Sequence, residues 1–137
     1  MISIEEPLLS WVLLIARVSL AAVFLVSGVH KGLWYQRAAD EFRLARVPVI
    51  GLTLPTTIAL HLIASLCLIL GIYAAEAALL LAAFTIVATV WVHPFWRFEG
   101  VKRLDRSRVA LANLGLIGGL LVLAVAGPGG LALGAVG

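Results

Sequence analysis

Long apolar runs, interrupted by polar side chains at only a few positions, dominate this sequence. Four of the runs approach the roughly 20 residues needed to cross a hydrocarbon core of ~30 Å. They predict membrane spans over residues 8–29, 54–73, 74–93 and 109–126. Lipid offers no partner to backbone N–H and C=O groups, and the alternating pattern of a membrane barrel is absent, so we expect the spans to be helices. We therefore predict an all-α fold: a transmembrane four-helix bundle in a single membrane domain over residues 1–137.

The segments between and after the spans differ in length and polarity. Residues 31–52 interleave apolar with charged side chains and end near Pro48. This pattern predicts either a short interfacial amphipathic helix between spans one and two or an ordered juxtamembrane connector. The connection after Gly71 is short enough to make spans two and three a hairpin. Residues 127–137 are apolar, uncharged and rich in Gly, and we predict a flexible tail that is disordered or lies against a partner.

The basic residues divide unevenly along the chain. Apart from Arg17, every Lys and Arg falls in the first or the third loop. They are Lys31, Arg37, Arg43, Arg46, Arg97, Lys102, Arg103, Arg106 and Arg108. Because short cytoplasmic loops carry the excess of Lys and Arg, we predict that loops 30–53 and 94–108 are cytoplasmic. Both termini then lie on the non-cytoplasmic side of the inner (plasma) membrane.

Aromatic residues collect at the same predicted boundary. The four that we expect to act as membrane-interface anchors are Trp34, Tyr35, Trp91 and Trp96. Amphipathic rings favour the headgroup level, so these residues fix the depth of the helices without needing a ligand.

The composition excludes several classes of function. Hydrophobic residues make up 63% and charged residues 12% of the chain, against about 45–50% and 25% in soluble domains. The net charge of +3 follows from the membrane topology, so we predict no nucleic-acid partner. Cys67 is the single cysteine, which excludes an internal disulfide and Cys-x-x-Cys chemistry. The three histidines lack metal-site spacing, and we predict no metal site and no catalytic constellation.

Arg17 is the most unusual residue of the predicted spans. It lies near the middle of the first span, where a charged side chain costs about 2.5–3.5 kcal/mol on insertion scales. One interpretation is structural, a buried pair with Glu76 or with helix carbonyl groups. The other is a contact with a ligand or a partner subunit.

Further polar residues fall in the cytoplasmic half of the predicted bundle. His61, His93 and Asn113 occupy three different spans at similar depth, and Lys31 follows the end of the first span. Together they predict a cavity in the inner leaflet. A satisfied core histidine is the alternative interpretation of His61. The candidate ligand-binding residues are Arg17, Lys31, His61, His93 and Asn113.

Small residues predict close contact between helices. Gly28 in the first span and the pair Gly115 and Gly119 in the fourth permit close approach. This pattern is compatible with packing within the bundle. It is equally compatible with a contact between copies or with a partner subunit, so a homo-oligomer is one of the alternatives.

Several of these landmarks occur together in one known family. They are Arg17, the sequence FLVSGVHK at 24–31, Gly71, HPFW at 93–96 and NLGLIGGLL at 113–121. The chain resembles the DoxX family of small four-helix membrane proteins. That resemblance implies an accessory subunit of a larger, quinone-linked membrane oxidoreductase complex. Relatives often carry a Glu where this chain has His61, so the carboxylate that neutralises the arginine in relatives is missing here.

Three functions follow from the sequence. The first is a subunit without redox cofactor ligands or a catalytic group of its own, which docks on other membrane subunits and forms an inner-leaflet cavity for quinone or lipid. The second is a structural or assembly subunit with no ligand chemistry. The third is a small transporter that oligomerises to form a pathway.

Overall fold

The structure is a computed structural model that describes residues 5–134. It contains five α-helices and one short 3-10 turn at Phe95–Arg97. The helices are α1 (Glu6–Leu33), α2 (Tyr35–Leu44), α3 (Ile50–Leu70), α4 (Ala74–Val92) and α5 (Gly100–Ala126). Over the described residues there is no β-strand. The prediction of an all-α bundle with four membrane-spanning helices is confirmed, since α1, α3, α4 and α5 are each long and apolar enough to cross a bilayer.

The spanning helices extend beyond the predicted spans where charged residues begin. Helix α1 continues to Leu33, and α5 begins at Gly100 rather than at residue 109. At ~1.5 Å per residue, α5 is about 40 Å long. Hydropathy detects only the part of a helix that crosses the hydrocarbon core. The helix continues into the interface because the long Lys and Arg side chains there keep their charges in water. Lys102 and Arg103 thus lie in the first turn of α5.

The short helix α2 lies between the first two spans, where an amphipathic helix was predicted. It buries Ala38 and Ala39 in a small cluster with Leu54 of α3. Its charged side chains point away from this cluster, and Arg43 pairs with Asp40 at 2.6 Å. We call the end of the bundle that carries α2 and the turn Phe95–Arg97 the basic end.

The turn between α3 and α4 forms the opposite end of the bundle. Gly71 has a φ of 73°, a left-handed conformation that favours glycine because a side chain there is strained. The N–H of Gly71 donates to the carbonyl of Leu68, and the N–H of Ile72 donates to the carbonyl of Cys67. This pair of bonds is a Schellman motif, which ends α3 and starts the hairpin.

The hydrophobic core fills the half of the bundle next to this turn. It consists mostly of alanine and leucine side chains, with one phenylalanine, from all four spanning helices: Ala21, Phe24, Ala64, Leu68, Ala74, Ala77, Ala78, Leu81, Ala82, Leu120 and Leu123. The many alanines let the helices approach closely, which is the usual source of helix association in lipid. The other half of the bundle is packed less fully and holds a cavity.

The chain folds back on itself after α5. Gly127 has a φ of 80°, and the following residues turn towards the α3–α4 hairpin. The N–H of Leu133 donates to the carbonyl of Leu70 at 2.9 Å. Residues 127–134 are therefore docked, which corrects the prediction of a flexible tail over this part, and residues 135–137 lie outside the described residues. The docking depends on glycines that approach other side chains closely, as Gly129 approaches Leu13.

The three glycines predicted to pack helices have different surroundings. A Cβ added to Gly28 would lie 3.0 Å from the Cβ of His61, and one added to Gly119 would lie 3.1 Å from Leu20. Both glycines therefore lie at helix contacts. A Cβ added to Gly115 meets no atom within 4 Å in the described part of the chain. Gly115 faces open space in the described chain, so the prediction that it packs within the bundle is wrong, whereas a contact with another copy or a partner stays a prediction.

This difference gives a matched pair of substitutions. Replacing Gly28 with Ala is expected to destabilise the protein by about 1–3 kcal/mol, because the new methyl group overpacks the contact between α1 and α3. Replacing Gly115 with Ala makes the same chemical change in open space, and it is expected to be neutral or stabilising by up to about 1 kcal/mol through helix propensity. Unfolding in detergent, followed by circular dichroism, measures both. Equal stability of the two variants would contradict the packing assigned to Gly28.

Candidate ligand-binding cavity

A cavity of about 490 Å³ lies in the basic-end half of the bundle, and we call it the basic-end cavity. Side chains from all five helices line it, together with the segment that joins α2 to α3. Apolar and aromatic residues form most of its surface. The polar and charged side chains that face it are Ser27, Lys31, Glu41, Thr53, Thr57, His61, Thr85, His93 and Asn113.

His61 is the most deeply buried ionisable group in the cavity wall. Its side chain is 3% exposed, yet neither ring nitrogen has a hydrogen-bond partner within residues 5–134. Two aromatic rings hold the imidazole edge-on, with ring centroids of Phe24 at 5.5 Å and of Phe84 at 4.6 Å. Buried polar groups are normally satisfied, and the two ring nitrogens of His61 are exceptions to this rule.

A hydrogen-bonded chain fixes the amide of Asn113. The Nδ2 of Asn113 donates to the Oγ1 of Thr89 at 2.8 Å, and this hydroxyl in turn donates to the carbonyl of Thr85 at 2.7 Å. Since the hydroxyl proton of Thr89 is already used, it accepts from the amide, and the orientation of the amide follows. Asn113 therefore keeps its Oδ1 as an acceptor for another donor.

His93 is held at the end of α4 by an arginine from α5. The Nη1 of Arg106 donates to the carbonyl of Val92 at 2.7 Å and lies 3.1 Å from the Nδ1 of His93. A guanidinium has only donors, so Nδ1 accepts and the ring proton is on Nε2. The guanidinium also lies over the ring of Phe98, 5.3 Å from its centroid. His93 thus offers an N–H group at the margin of the cavity.

Lys31 places a positive charge at the basic-end margin of the cavity. Its Nζ donates to the Oγ of Ser27, one helical turn earlier on α1. No carboxylate lies within 4.0 Å of this ammonium group in the described part of the chain. Glu41 of α2 lines the same cavity. The charges at the margin are thus one ammonium and one carboxylate that do not form a close ion pair.

The segment after α2 forms part of the cavity wall at the basic end. Val47 and Pro48 contribute to its lining. The Nε1 of Trp91 on α4 donates to the carbonyl of Ala45 at 3.1 Å, which ties this segment to the opposite wall. Trp91 thus has a structural contact in addition to its predicted place at the interface.

The structure brings four of the five candidate ligand-binding residues together. Lys31, His61, His93 and Asn113 all line the basic-end cavity. Arg17 does not, because it lies in the other half of the bundle. Whether the four bind a ligand stays a prediction.

Arg17 has partners that the sequence did not predict. It is 1% exposed, and its Nη1 donates to the carbonyl of Pro128 at 2.6 Å while its Nη2 donates to that of Leu131. Glu76 is exposed and forms no ion pair with Arg17 within residues 5–134. The predicted pair with Glu76 is therefore wrong. The carbonyl groups of the folded-back tail replace it, since they reach the buried guanidinium and the exposed carboxylate does not.

Sequence reasoning missed several residues of the cavity. Phe24 and Phe84 orient His61, but an aromatic residue on a spanning helix gives no signal of its own. Thr89 is one of the few polar residues of the third span, but its bond with Asn113 depends on how α4 packs on α5. Arg106 served in the sequence analysis only to predict which loops are cytoplasmic, and its contact with His93 was not predicted.

The four predicted interface anchors lie on the surface at the basic end. Trp34 is 56% and Trp96 50% exposed. The ring of Trp34 packs edge-on against His30 at 5.0 Å. Tyr35 begins α2, and Trp91 lies near the end of α4.

The fold and the cavity define a class of protein: an integral membrane four-helix bundle with a mostly apolar cavity in one half. The family model of DoxX matches residues 12–94, which include most of α1 and all of α2 to α4, with the wall that holds His61. The chain belongs to the DoxX family, as the resemblance in its sequence predicted.

Two relatives from Escherichia coli support this assignment. The chain is 31% identical to inner membrane protein YqjF over 116 residues, which cover 85% of this chain and 84% of that protein. It is 24% identical to inner membrane protein YphA over 121 residues, which cover 88% and 86% of the two chains. No solved structure matches the chain. The chain is thus similar over most of its length to inner membrane proteins.

Proposed function

We propose that this DoxX-family protein is an accessory subunit of a quinone-linked membrane oxidoreductase complex, and that the basic-end cavity binds the quinone ring. The observation that supports this most is His61, a buried imidazole with two nitrogens that lack a partner within residues 5–134. A quinone supplies carbonyl oxygens, and its reduced form supplies hydroxyl groups. A neutral imidazole has one donor and one acceptor nitrogen, so it pairs with either form.

The size and lining of the cavity suit such a ligand. Small-molecule sites measure about 300–1,000 Å³ and combine a largely apolar wall with a few placed polar groups. The basic-end cavity, at about 490 Å³, lies in this range. Phe24 and Phe84 offer aromatic surface to a flat ring, and Asn113 and Lys31 offer hydrogen bonds. Lys31 also supplies positive charge where negative charge develops on a reduced quinone.

The cavity opens towards lipid, which favours a membrane-soluble ligand. Val23 of α1 and Val87 of α4 line it and are 47% and 60% exposed on the surface of the bundle. These positions lie within membrane-spanning helices, so their exposed area faces hydrocarbon. A ligand that diffuses in the bilayer therefore enters sideways, with its apolar chain left in lipid.

The redox chemistry itself is assigned to a partner. The polar residues of the cavity, Lys31, His61, His93 and Asn113, form hydrogen bonds but do not carry electrons. We propose that a neighbouring subunit delivers electrons and that this chain holds and orients the quinone. The protein then acts as a binding subunit rather than as an enzyme in its own right.

We also propose the orientation given by the basic residues, with the basic end in the cytoplasm and the α3–α4 turn on the other side of the membrane. Single cysteines in a Cys67→Ala background test it with a membrane-impermeant maleimide. Tyr73→Cys, in the α3–α4 turn, is expected to label in intact spheroplasts. Lys102→Cys, at the start of α5, is expected to label only after permeabilisation. The reverse pattern would contradict the proposed topology.

Purification in mild detergent tests the quinone-linked role. We expect solvent extraction of the purified protein to release quinone in roughly equimolar amount, and mass spectrometry to find a co-purifying redox subunit. A preparation with neither quinone nor a second subunit would contradict the proposal.

A double variant separates ligand binding from a purely structural role. His61→Leu combined with Asn113→Leu removes two polar groups from the cavity wall and, between helices, the hydrogen bond from Asn113 to Thr89. We expect the variant to assemble with its partner but to lose bound quinone. A scaffold without ligand chemistry would instead retain full function in the complex.

A further inference from the structure

A second pocket lies at the elbow where α1 meets α2, and we call it the elbow pocket. It has a volume of about 450 Å³ and shares Val23, Ser27, Lys31 and Glu41 with the basic-end cavity. His30, Trp34 and Arg37 line the elbow pocket but not the basic-end cavity. The proposed quinone site makes no use of these three residues.

The polar part of the elbow pocket is basic. Lys31 and Arg37 contribute two positive charges, and Glu41 contributes one negative charge. The Nε of Arg37 lies 3.8 Å from a carboxylate oxygen of Glu41, and both side chains are largely exposed. This contact is long and therefore weak. The pocket keeps an excess of positive charge, with donors of Arg37 and Lys31 available to an anion.

The other part of the pocket is apolar and faces the bilayer. Val23 and Val26 line it and are 47% and 53% exposed on the spanning part of α1. Trp34, at the polar rim, is the type of residue that occupies the headgroup level. The pocket thus extends from the hydrocarbon core of the bilayer, at Val23, to the interface, at Arg37.

We propose that the elbow pocket binds an anionic phospholipid, with the phosphate on Arg37 and Lys31 and an acyl chain along Val23 and Val26. Guanidinium and ammonium groups are the usual partners of phosphate oxygens in proteins. Basic pockets beside spanning helices on the cytoplasmic side bind anionic headgroups in the same way. A free phosphate shares the polar contacts, but only a lipid also fills the apolar part.

The lipid proposal shares Lys31 and Val23 with the quinone site, but Arg37 lines only the elbow pocket, so Arg37→Gln tests the lipid without changing the lining of the basic-end cavity. Native mass spectrometry of the full-length protein in detergent, with added phosphatidylglycerol or phosphatidylcholine, measures the lipid that is retained. We expect phosphatidylglycerol to be retained at least about fivefold better than phosphatidylcholine, and Arg37→Gln to abolish this preference.

Arg43→Gln is the matched control. It removes the same charge from the same helix, but Arg43 pairs with Asp40 and does not line the elbow pocket. We expect it to retain the preference for phosphatidylglycerol. Glu41→Gln removes the opposing charge and is expected to strengthen retention.

Three outcomes would overturn the proposal. Equal losses in Arg37→Gln and Arg43→Gln would indicate general attraction to a basic surface. Weaker retention in Glu41→Gln would contradict the charge argument. Displacement of phosphatidylglycerol by an excess of inorganic phosphate would show that the site takes the free anion rather than the lipid.

Discussion

Replacing Arg17 with Met is expected to release the C-terminal segment from the bundle. The guanidinium donates to the carbonyl groups of Pro128 and Leu131, and hydrogen bonds from a charged group contribute about 1.5–3 kcal/mol each. Loss of both is expected to weaken docking at least about 100-fold. Hydrogen–deuterium exchange reports this directly, because the N–H of Leu133 is protected by its bond to Leu70.

The bundle itself is expected to stay folded in this variant. Met has a similar length and removes the cost of burying a charge with no carboxylate partner, so loss of the tail contacts is separable from unfolding. Arg108→Met serves as the control, since Arg108 is exposed and lies 3.9 Å from its partner Asp105. Unchanged protection of Leu133 in the Arg17→Met variant would show that the guanidinium does not hold the tail.

The second large effect is expected at His61. Replacing His61 with Leu removes two buried ring nitrogens that lack partners in the described part of the chain. An unsatisfied buried polar group costs about 1–3 kcal/mol, so the variant without ligand is expected to be more stable than the wild type by a similar amount. The same change is expected to abolish the stabilisation that a short-chain quinone gives the wild type. Thermal unfolding with and without the quinone measures both effects.

This combination of higher stability and lost ligand response is the signature of a site kept at a cost to stability. His30→Leu is the control, because His30 lies against Trp34 on the exposed side of α1 and does not line the basic-end cavity. It is expected to keep the response to quinone. A His61→Leu variant that is less stable, yet still responds, would indicate that His61 is a core residue satisfied in another way.

The fold was predictable because lipid imposes a simple rule on the sequence. A spanning helix needs a long apolar run, and the four runs marked α1, α3, α4 and α5. The ends were less predictable, since charged side chains end the apolar run but do not end the helix. At the basic end, α1 ends at Leu33 and α5 begins at Gly100.

The cavity was predictable in part for a related reason. The depth of a residue in the bilayer follows from its position along a spanning helix. The predicted spans placed His61, His93 and Asn113 at a similar depth. Their hydrogen-bond partners depend on rotation and packing of the helices, which hydropathy does not determine. The bond between Asn113 and Thr89 and the contact of Arg106 with His93 are of this kind.

Carbonyl groups were one predicted kind of partner for Arg17, but the sequence placed them on the helices and not on the tail, where Pro128 and Leu131 supply them. Residues 127–134 have no hydrophobic periodicity, and carbonyl groups leave no mark in a sequence. Glu76 was the obvious candidate because it carries the opposite charge at the same end of the bundle. It lies exposed on α4, whereas the glycines of the tail let the backbone reach the buried guanidinium.

Photolabelling with an azidoquinone tests the central claim most directly. The purified protein is irradiated with the probe, and the modified residues are mapped by mass spectrometry. We predict that the label falls on the lining of the basic-end cavity, near His61, Phe84 and Trp91, and that excess unlabelled quinone prevents it. Label spread over the lipid-facing surface, or unaffected by competing quinone, would contradict the account.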